Sequence, residues 1–317
     1  MRVTFLGTGE FACPAVRALC AAGHEVVSAI SQPDRPAGRG RTVRPSFVHA
    51  LADELGLRHI QAENVNALDL REALGAAEIG VVVAFGQKIG GELLEALPRG
   101  CVNIHGSLLP KYRGAAPFQW AVINGDEVTG VTVFQVDERW DAGPIWGRRE
   151  LRIGETETAA ELHDRLAQLG AELIVDVLAA MERGDVQPEV QDTSRATRAP
   201  KLSREDSEID WSQPALNVVR RINGLWSWPV ATCAYPTPGG KKERLQLARA
   251  QVADAATEPS VELPPGAFHP DGTVQAGCGR VRLLEVKPAG GKLMSFEAFA
   301  RGRPVRPPIR LLPLQQP

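Results

Sequence analysis

The feature that most constrains the fold is an alternation of short, continuously apolar runs with helical patterns in the first part of the chain. Apolar runs of this length are typical of strands that are buried on both faces of a sheet. Where such strands alternate with helices, the helices cover both faces of a parallel sheet. We therefore predict an α/β domain on an open parallel sheet, with strands at residues 1–6, 26–30, 79–85, 101–105 and 131–136.

Helical patterns lie between these strands, near residues 47–54 and 91–97. The clearest helix covers residues 158–182, because leucine and valine recur there at steps of three and four residues and form one apolar stripe. Thr158 and Glu161 have the spacing of a capping box, and Gly184 can end the helix. We expect this helix to have a structural role.

A second domain is indicated by a change in composition after residue 190. Residues 191–206 are polar and poor in large apolar side chains, as a linker would be. Proline and glycine are frequent beyond them, and short β-rich runs recur at residues 230–235, 245–247, 273–276 and 280–286, which favours a small β-barrel. We predict domains at 1–190 and 207–317, joined by a linker at 191–206.

Composition and charge limit the class of protein. Hydrophobic residues make up 44% of the chain, and no apolar run approaches the roughly 18 residues that a membrane helix needs. We therefore expect a cytoplasmic protein with no membrane partner. The five cysteines are far apart and form no C-x-x-C pair, so neither a metal site nor a disulfide framework is indicated. Residues 240–317 carry twelve Lys and Arg against seven Asp and Glu, which suits either a polyanionic partner or an ordinary solvated surface.

One motif imitates a dinucleotide-binding fingerprint. Gly7-Thr8-Gly9 follows the first strand, and Asp34 lies about where a ribose-binding acid could be. Asp34, however, is flanked by Pro33 and Arg35 in a basic loop rather than at a strand end. We interpret the glycines as a tight strand-to-helix turn and expect no nicotinamide cofactor.

The best candidate for chemistry is a pair of polar residues at the end of a predicted strand. Asn103 and His105 lie on one face of that strand, at the edge of an α/β sheet where ligands bind. Both could donate hydrogen bonds to an oxygen that gains negative charge. Asp141 follows the next strand and could orient His105 and favour its protonated form. A surface histidine and a turn aspartate are the alternatives, and no serine-hydrolase, P-loop or zinc-protease motif is present.

The run from Asn103 to Thr132, NIHGSLLPKYRGAAPFQWAVINGDEVTGVT, together with Asp141-Ala-Gly, resembles the formyltetrahydrofolate-dependent transferases. Two further segments are similar to the members that act on methionyl-tRNA. They are SQPDRPAGRGR at residues 31–41 and KLSREDSEIDW at residues 201–211, the latter with LWSWP at 225–229. The resemblance covers nearly the whole chain up to about residue 286. It implies a Rossmann-like formyl-transfer domain followed by an OB-like barrel that contacts tRNA.

The resemblance also implies roles for individual residues. Asn103, His105 and Asp141 match the catalytic set, and no metal is expected. Gly9 departs from the family's usual proline, and residues 87–90 depart from its usual apolar run. The folate-binding residues implied are Ser107, Leu108, Leu109 and Pro110 in one turn, and Phe85, Gly86, Gln87, Val136, Asp137 and Trp140 in two loops.

The loop at residues 33–45 combines glycines and prolines with four arginines, so we expect it to be mobile until a partner orders it. Guanidinium groups suit phosphates, which predicts tRNA binding by Arg35, Arg39, Arg41 and Arg44. The predicted activity is formyl transfer from 10-formyltetrahydrofolate to methionyl initiator tRNA by a monomer. Two alternatives remain: an amino-sugar nucleotide as the acceptor, and an RNA-binding module on an inactive α/β scaffold.

Overall fold

The computed structural model describes residues 1–37, 42–237, 240–253 and 263–314. These residues form two compact units. Unit 1 comprises residues 1–117, 128–152 and 163–199, and unit 2 comprises residues 118–127, 153–162 and those from residue 200 onwards. None of the described helices has the length and apolar character that would let it cross a bilayer.

The strands of unit 1 build a seven-stranded sheet and two small ribbons. The strands are β1 (Arg2–Gly7), β2 (Glu25–Ser31), β3 (Arg35–Ala37), β4 (Thr42–Arg44), β5 (His59–Gln61), β6 (Ile79–Val83), β7 (Cys101–His105), β8 (Arg113–Gly114), β9 (Val128–Gln135), β10 (Ile145–Arg152) and β11 (Arg198–Ala199). The sheet has the order β10-β9-β7-β6-β1-β2-β5, while β3 pairs with β4 and β8 with β11.

The α-helices are interleaved with these strands and continue into unit 2. They are α1 (Cys13–Ala21), α2 (Phe47–Leu55), α3 (Leu70–Leu74), α4 (Gly91–Ala96), α5 (Pro117–Asn124), α6 (Ala159–Arg183), α7 (Ala215–Leu225) and α8 (Phe296–Arg301). Strands β1 and β6 are buried along almost their whole length, as continuous apolar sequence requires in a sheet that is covered on both faces. The predicted α/β fold class is confirmed.

Part of the predicted sheet geometry is wrong. Strands β7, β6, β1, β2 and β5 are parallel neighbours, but β9 runs antiparallel to β7, and β10 runs antiparallel to β9. Strand β10 was not predicted, because three arginines and a glutamate in this edge strand leave no apolar run. The carboxyl end of β9 therefore lies beside the amino end of β7, not beside its carboxyl end.

The predicted long helix is present as α6. Thr158 Oγ1 accepts a hydrogen bond from the Glu161 amide, and the Glu161 carboxylate accepts one from the Thr158 amide at 3.0 Å, which is the predicted capping box. Gly184 follows the helix with a left-handed φ of 75°, a conformation that glycine adopts at little cost. The apolar stripe consists of Leu162, Leu166, Leu169, Leu173 and Val177, and all of these side chains except that of Leu169 are buried.

The stems of the predicted basic loop form an antiparallel ribbon of β3 and β4. Its root is tied down by Asp34, which accepts hydrogen bonds from the Ser46 amide at 2.9 Å, His49 Nδ1 at 2.9 Å and Gln61 Nε2 at 3.1 Å. Burial acts to raise the pKa of Asp34, but these hydrogen bonds outweigh it and hold the pKa below its usual value. The stems of the loop are therefore paired strands rather than open coil.

Unit 2 is built on a five-stranded antiparallel sheet, as the predicted small β domain requires. Its order is β12-β13-β15-β14, with β16 beside β15. Helix α7 packs against β13. The side-chain amide of Asn223 in this helix accepts a hydrogen bond from the Ala250 amide and donates one to the Ala250 carbonyl. The strands are β12 (Ala231–Pro236), β13 (Lys242–Val252), β14 (Val274–Gln275), β15 (Arg280–Pro288) and β16 (Met294–Ser295).

The end of the chain, whose sequence carries no clear pattern, is part of unit 2 as far as residue 314. Leu312 bridges to Ala234 of β12, and the Tyr235 hydroxyl donates to the Pro304 carbonyl at 2.9 Å. In α8, Phe296 and Phe299 are buried side chains. Residues up to 314 therefore help to close the core of this unit.

Candidate active site

His105 lies at the carboxyl end of β7 and is only 7% exposed. Its Nε2 atom donates a hydrogen bond to the Tyr112 carbonyl at 2.8 Å, because a carbonyl oxygen can only accept. Its Nδ1 atom faces the Asp141 carboxylate at 3.8 Å from Oδ2, which is close enough for an ion pair but too long for a hydrogen bond. The backbone contact thus fixes the ring and leaves Nδ1 as the nitrogen available for chemistry.

Asp141 reaches His105 by a route that the sequence did not indicate. Because β9 is antiparallel to β7, the loop at residues 136–144 must run back along β7 to bring Asp141 to the imidazole. Asp141 has a left-handed φ of 51°, and its Oδ2 accepts a hydrogen bond from the Gly114 amide at 2.8 Å. At Gly143, an added Cβ would lie 1.8 Å from the Gln135 carbonyl oxygen, so this reversal requires a glycine.

Asn103 lies two residues before His105 and is partly exposed. Its side chain lines a small cleft together with Val82 near the end of β6, Phe134 near the end of β9, and Asp141 in the loop that follows β9. Among the described residues, none forms a hydrogen bond with the Asn103 amide group. Asn103, His105 and Asp141 are therefore brought together as predicted, with the amide and His105 Nδ1 both uncommitted. Their catalytic roles stay a prediction.

In the predicted folate-binding turn, the side chains of Ser107 and Leu109 make contacts inside the protein. The Ser107 hydroxyl donates to the Lys111 carbonyl at 2.6 Å. Thr132 of β9 donates to the Ser107 carbonyl at 2.7 Å and accepts from the Leu109 amide at 3.0 Å. Leu109 packs in the core against Phe134. Only Leu108 and Pro110 of this turn are partly exposed, so a ligand would meet them rather than the Ser107 hydroxyl.

The first predicted wall, residues 85–87, is anchored to the sheet. Phe85 is buried, and its carbonyl accepts from Gln32 Nε2 at 2.8 Å, next to Gly86 with its positive φ of 75°. The side-chain amide of Gln87 accepts a hydrogen bond from the Val65 backbone amide at 2.8 Å and donates one to the Ala62 carbonyl at 2.7 Å. The side chain of Gln87 thus ties the 85–87 loop to the segment at residues 62–65.

The second predicted wall is the start of the 136–144 loop. Val136 packs against the apolar core, and the Asp137 carboxylate accepts from the Arg139 guanidinium at 2.8 Å. Trp140 is 65% exposed and lines the same cleft as Asn103. A large aromatic side chain that is this exposed beside a cleft is suited to stacking on a planar ligand.

None of the four arginines predicted to bind tRNA is among the residues that line this cleft, and two of the four lie outside the described residues. Arg35 and Arg44 are directly opposite each other on the β3–β4 ribbon, and both are exposed. Arg39 and Arg41 lie outside the described residues. Like charges directly opposite each other destabilise a ribbon unless an anion compensates them.

Sequence reasoning missed the residues that hold His105 and Asp141 in place. Gln191, in the segment predicted to be a linker, is only 4% exposed and donates to the Asp141 and Gly143 carbonyls. Arg113 donates to the other end of the same amide. Nothing in a polar stretch of sequence distinguishes a buried glutamine from a solvated one, so no signal could have found Gln191.

The glycine turn that imitates a dinucleotide fingerprint is tightly packed. An added Cβ at Gly7 would lie 2.9 Å from the Val83 carbonyl, and the Thr8 hydroxyl donates to the Phe85 carbonyl. Asp34, the supposed ribose ligand, is engaged at the root of the ribbon. The interpretation of Gly7–Gly9 as a structural turn agrees with this packing.

Two family models match consecutive parts of the chain. The formyl transferase model matches residues 1–178, and the formyl transferase C-terminal domain model matches residues 201–304. The chain belongs to the formyl transferase family. Among its relatives, the methionyl-tRNA formyltransferase of Heliobacterium modesticaldum is 42% identical over 98% of this chain and 99% of its own. That of Methylococcus capsulatus is also 42% identical, over 94% of this chain and 96% of its own.

Solved structures with lower identity share the fold. WlaRD, a sugar 3N-formyl transferase, has a TM-score of 0.64 at 15% identity. The match covers 100% of this chain and 99% of WlaRD. HypX from Aquifex aeolicus in complex with tetrahydrofolic acid has a TM-score of 0.60 at 22% identity over 95% of this chain. The chain spans about half the length of HypX, 47%.

Proposed function

We propose that this protein transfers the formyl group of 10-formyltetrahydrofolate to the α-amino group of methionyl initiator tRNA. The observation that carries the proposal is the convergence of Asn103, His105 and Asp141 at the end of β7, in a chain related over nearly its full length to methionyl-tRNA formyltransferases. We place the reaction in the cytoplasm, where charged tRNA is used.

The attacking amine must be neutral, which is accessible near neutral pH because an α-amino group titrates at roughly 7.7–8. Its nitrogen adds to the formyl carbon and gives a tetrahedral intermediate with a negative oxygen. The Asn103 amide and a protonated His105 Nδ1 are the two uncommitted donors beside the cleft, and they stabilise that oxygen. The bond between the formyl carbon and N10 of the folate then breaks.

The proton balance of the reaction uses the remaining member of the set. The amine loses one proton as the new amide forms, and N10 gains one as the folate leaves. Asp141 faces His105 Nδ1 at 3.8 Å, and its carboxylate can relay a proton from the amine towards N10 through water. The Tyr112 carbonyl keeps the opposite nitrogen of the ring protonated throughout.

We assign the folate to the cleft beside Asn103. Trp140 and the loop at residues 85–87 would form its walls, and Leu108 and Pro110 are the partly exposed members of the adjoining turn. The apolar and aromatic side chains that line this cleft suit a pterin ring. No covalent intermediate with the enzyme is needed, because positioning two bound substrates supplies much of the acceleration.

The tRNA is assigned to the β3–β4 ribbon and to unit 2. Arg35 and Arg44 are opposite each other at the root of the ribbon, where Arg35 also donates to Gln32 Oε1 at 3.1 Å, and an RNA phosphate between the two guanidinium groups would relieve their repulsion. Arg39 and Arg41 belong to the same proposal. We keep the functional division of the chain at residues 1–190 and 207–317, with the second part contacting tRNA.

Incubation with 10-formyltetrahydrofolate and methionyl initiator tRNA tests the proposal. The expected product is N-formylmethionyl-tRNA, measured after mild hydrolysis of the ester as formylmethionine. Parallel reactions offer an amino-sugar nucleotide, which tests the alternative acceptor. Transfer to the sugar alone would overturn the choice of acceptor, and tRNA binding without any transfer would leave an RNA-binding module.

A further inference from the structure

Gln191 occupies an unusual position for a residue in a polar stretch of sequence. Its side chain is buried, and all of its hydrogen-bonding capacity is used within unit 1. Nε2 donates to the Asp141 carbonyl at 3.0 Å and to the Gly143 carbonyl at 2.8 Å. Oε1 accepts from the Arg113 guanidinium at 2.7 and 3.2 Å. One amide thus joins the loop that carries Asp141 to the segment that follows the 107–111 turn.

Thr197 holds the same segment from the other side. Its Oγ1 accepts from the Tyr112 amide at 2.8 Å, and its carbonyl accepts from the Arg113 amide at 2.8 Å. Tyr112 is the residue whose carbonyl accepts from His105 Nε2. Both contacts of the His105 ring, with the Tyr112 carbonyl and with Asp141, are therefore supported by residues from one short stretch of chain.

We propose that the segment at residues 191–199 is a positioning element for catalysis, in which Gln191 and Thr197 set the placement of Asp141 and the Tyr112 carbonyl about His105. This inference rests on the proposed function. Gln191 touches neither substrate in this proposal and acts through Asp141. One of its two backbone acceptors is the carbonyl of Asp141, whose left-handed conformation is one that a non-glycine residue keeps only where its surroundings enforce it.

The consequence is a specific effect on the chemical step. Without the Gln191 donor, the Asp141 turn can relax towards an ordinary backbone conformation and take the carboxylate away from His105 Nδ1. Gln191 itself lines neither the folate cleft nor the basic ribbon, so its substitution removes no direct contact with a substrate. A positioning role therefore predicts a fall in kcat with little change in either KM.

The test compares Gln191→Glu with Gln168→Glu, the same substitution at an exposed position of α6. The glutamate at 191 can still accept from Arg113 but cannot donate to the two carbonyls. We expect kcat to fall about tenfold or more at position 191 and to stay within about twofold at 168. In an Asp141→Asn background, Gln191→Glu should cause less than about a twofold further loss, because both changes act on one carboxylate. An unchanged kcat, or the same loss in both backgrounds, would overturn the proposal.

Thr197 provides a second pair of variants in case Gln191→Glu does not fold. Thr197→Ser keeps the hydroxyl acceptor and should retain activity, whereas Thr197→Val removes it and should lower kcat. Equal activity in the serine and valine variants would contradict the role of Thr197.

A readout without turnover separates this inference from the proposed function. The ring signals of His105 in NMR spectra should shift in Gln191→Glu and not in Gln168→Glu, even if the wild-type protein formylates no tRNA. Unshifted His105 signals in a folded Gln191→Glu variant would overturn the positioning role. Absence of transfer by the wild-type protein would overturn the proposed function alone.

Discussion

Replacing Asp141 by asparagine should remove one negative charge beside His105 and change little else. An asparagine oxygen can still accept the hydrogen bond that the Gly114 amide donates to Asp141 Oδ2. The contacts that Gln191 makes with the Asp141 backbone do not involve the carboxylate at all. The loop should therefore keep its course, and the variant should isolate the electrostatic effect of the carboxylate.

The size of that effect follows from the distance between the two side chains. At 3.8 Å and an effective dielectric constant of about 20, the attraction between unit charges is about 4 kcal/mol. Solvent screens it little, because His105 and Asp141 are 7% and 8% exposed. Since each 1.36 kcal/mol is a factor of ten in rate, and part of the attraction exists before the transition state, we expect kcat to fall about 10²- to 10³-fold.

Single-turnover formylation with saturating folate and charged tRNA measures this loss directly. Asp185→Asn is the matched control, because Asp185 is an exposed carboxylate that pairs with Arg183. Thermal unfolding should show both variants folded. A folded Asp141→Asn protein that keeps more than about a third of the wild-type rate would refute the pairing of Asp141 with His105, since the lost attraction would then be worth less than about 1 kcal/mol.

Three further predictions follow from the same structure. Asn103→Ala should lower kcat about 10²- to 10³-fold, the usual loss for an oxyanion donor, with folate affinity measured by fluorescence almost unchanged; near-normal turnover would remove it from the catalytic set. Replacing Arg35 and Arg44 together by alanine should weaken tRNA use and flatten the salt dependence of tRNA binding by roughly 0.7–0.9 per lost phosphate contact, and an unchanged slope would contradict a phosphate role. Burial raises the pKa of the Cys101 thiol from 9.0 to about 12, so its stabilising contribution is complete below pH 9.0 and is lost as the pH rises towards about 12. At pH 8, iodoacetamide followed by mass spectrometry should modify the exposed Cys278 first, and equal rates for Cys101 would contradict its burial.

The parts of the fold that the sequence predicted are those where local pattern and tertiary burial agree. Strand β6 is continuously apolar and fully buried, and helix α6 has both its capping box and its apolar stripe. The direction of β9 could not be predicted in this way, because an apolar run has the same composition in parallel and antiparallel pairs. Strand β10 was hidden by the charged side chains of an edge strand.

The candidate site shows a similar division. Asn103 and His105 were placed correctly because a strand sends alternate side chains to one face. The proximity of Asp141 was also predicted, although the reason given for it was wrong, since β9 is antiparallel to β7. The burial of Gln191 depends on partners far away in the sequence, which composition does not reveal. The Ser107 hydroxyl donates within its own turn, and composition does not reveal the conformation of that turn.

The pairing of residues 191–199 with the segment after the 107–111 turn decides where this chain can be divided for fragment work. The Tyr112 and Arg113 amides donate to Thr197, and the Ala115 amide donates to the Ala199 carbonyl at 2.9 Å. A fragment that ends at residue 190, where the sequence turns polar, would lack the groups that accept hydrogen bonds from these amides close to His105. A fragment that extends to Ala199 would retain these acceptors. The nine residues 191–199, which look like a linker in the sequence, therefore decide whether a fragment keeps the contacts that support His105.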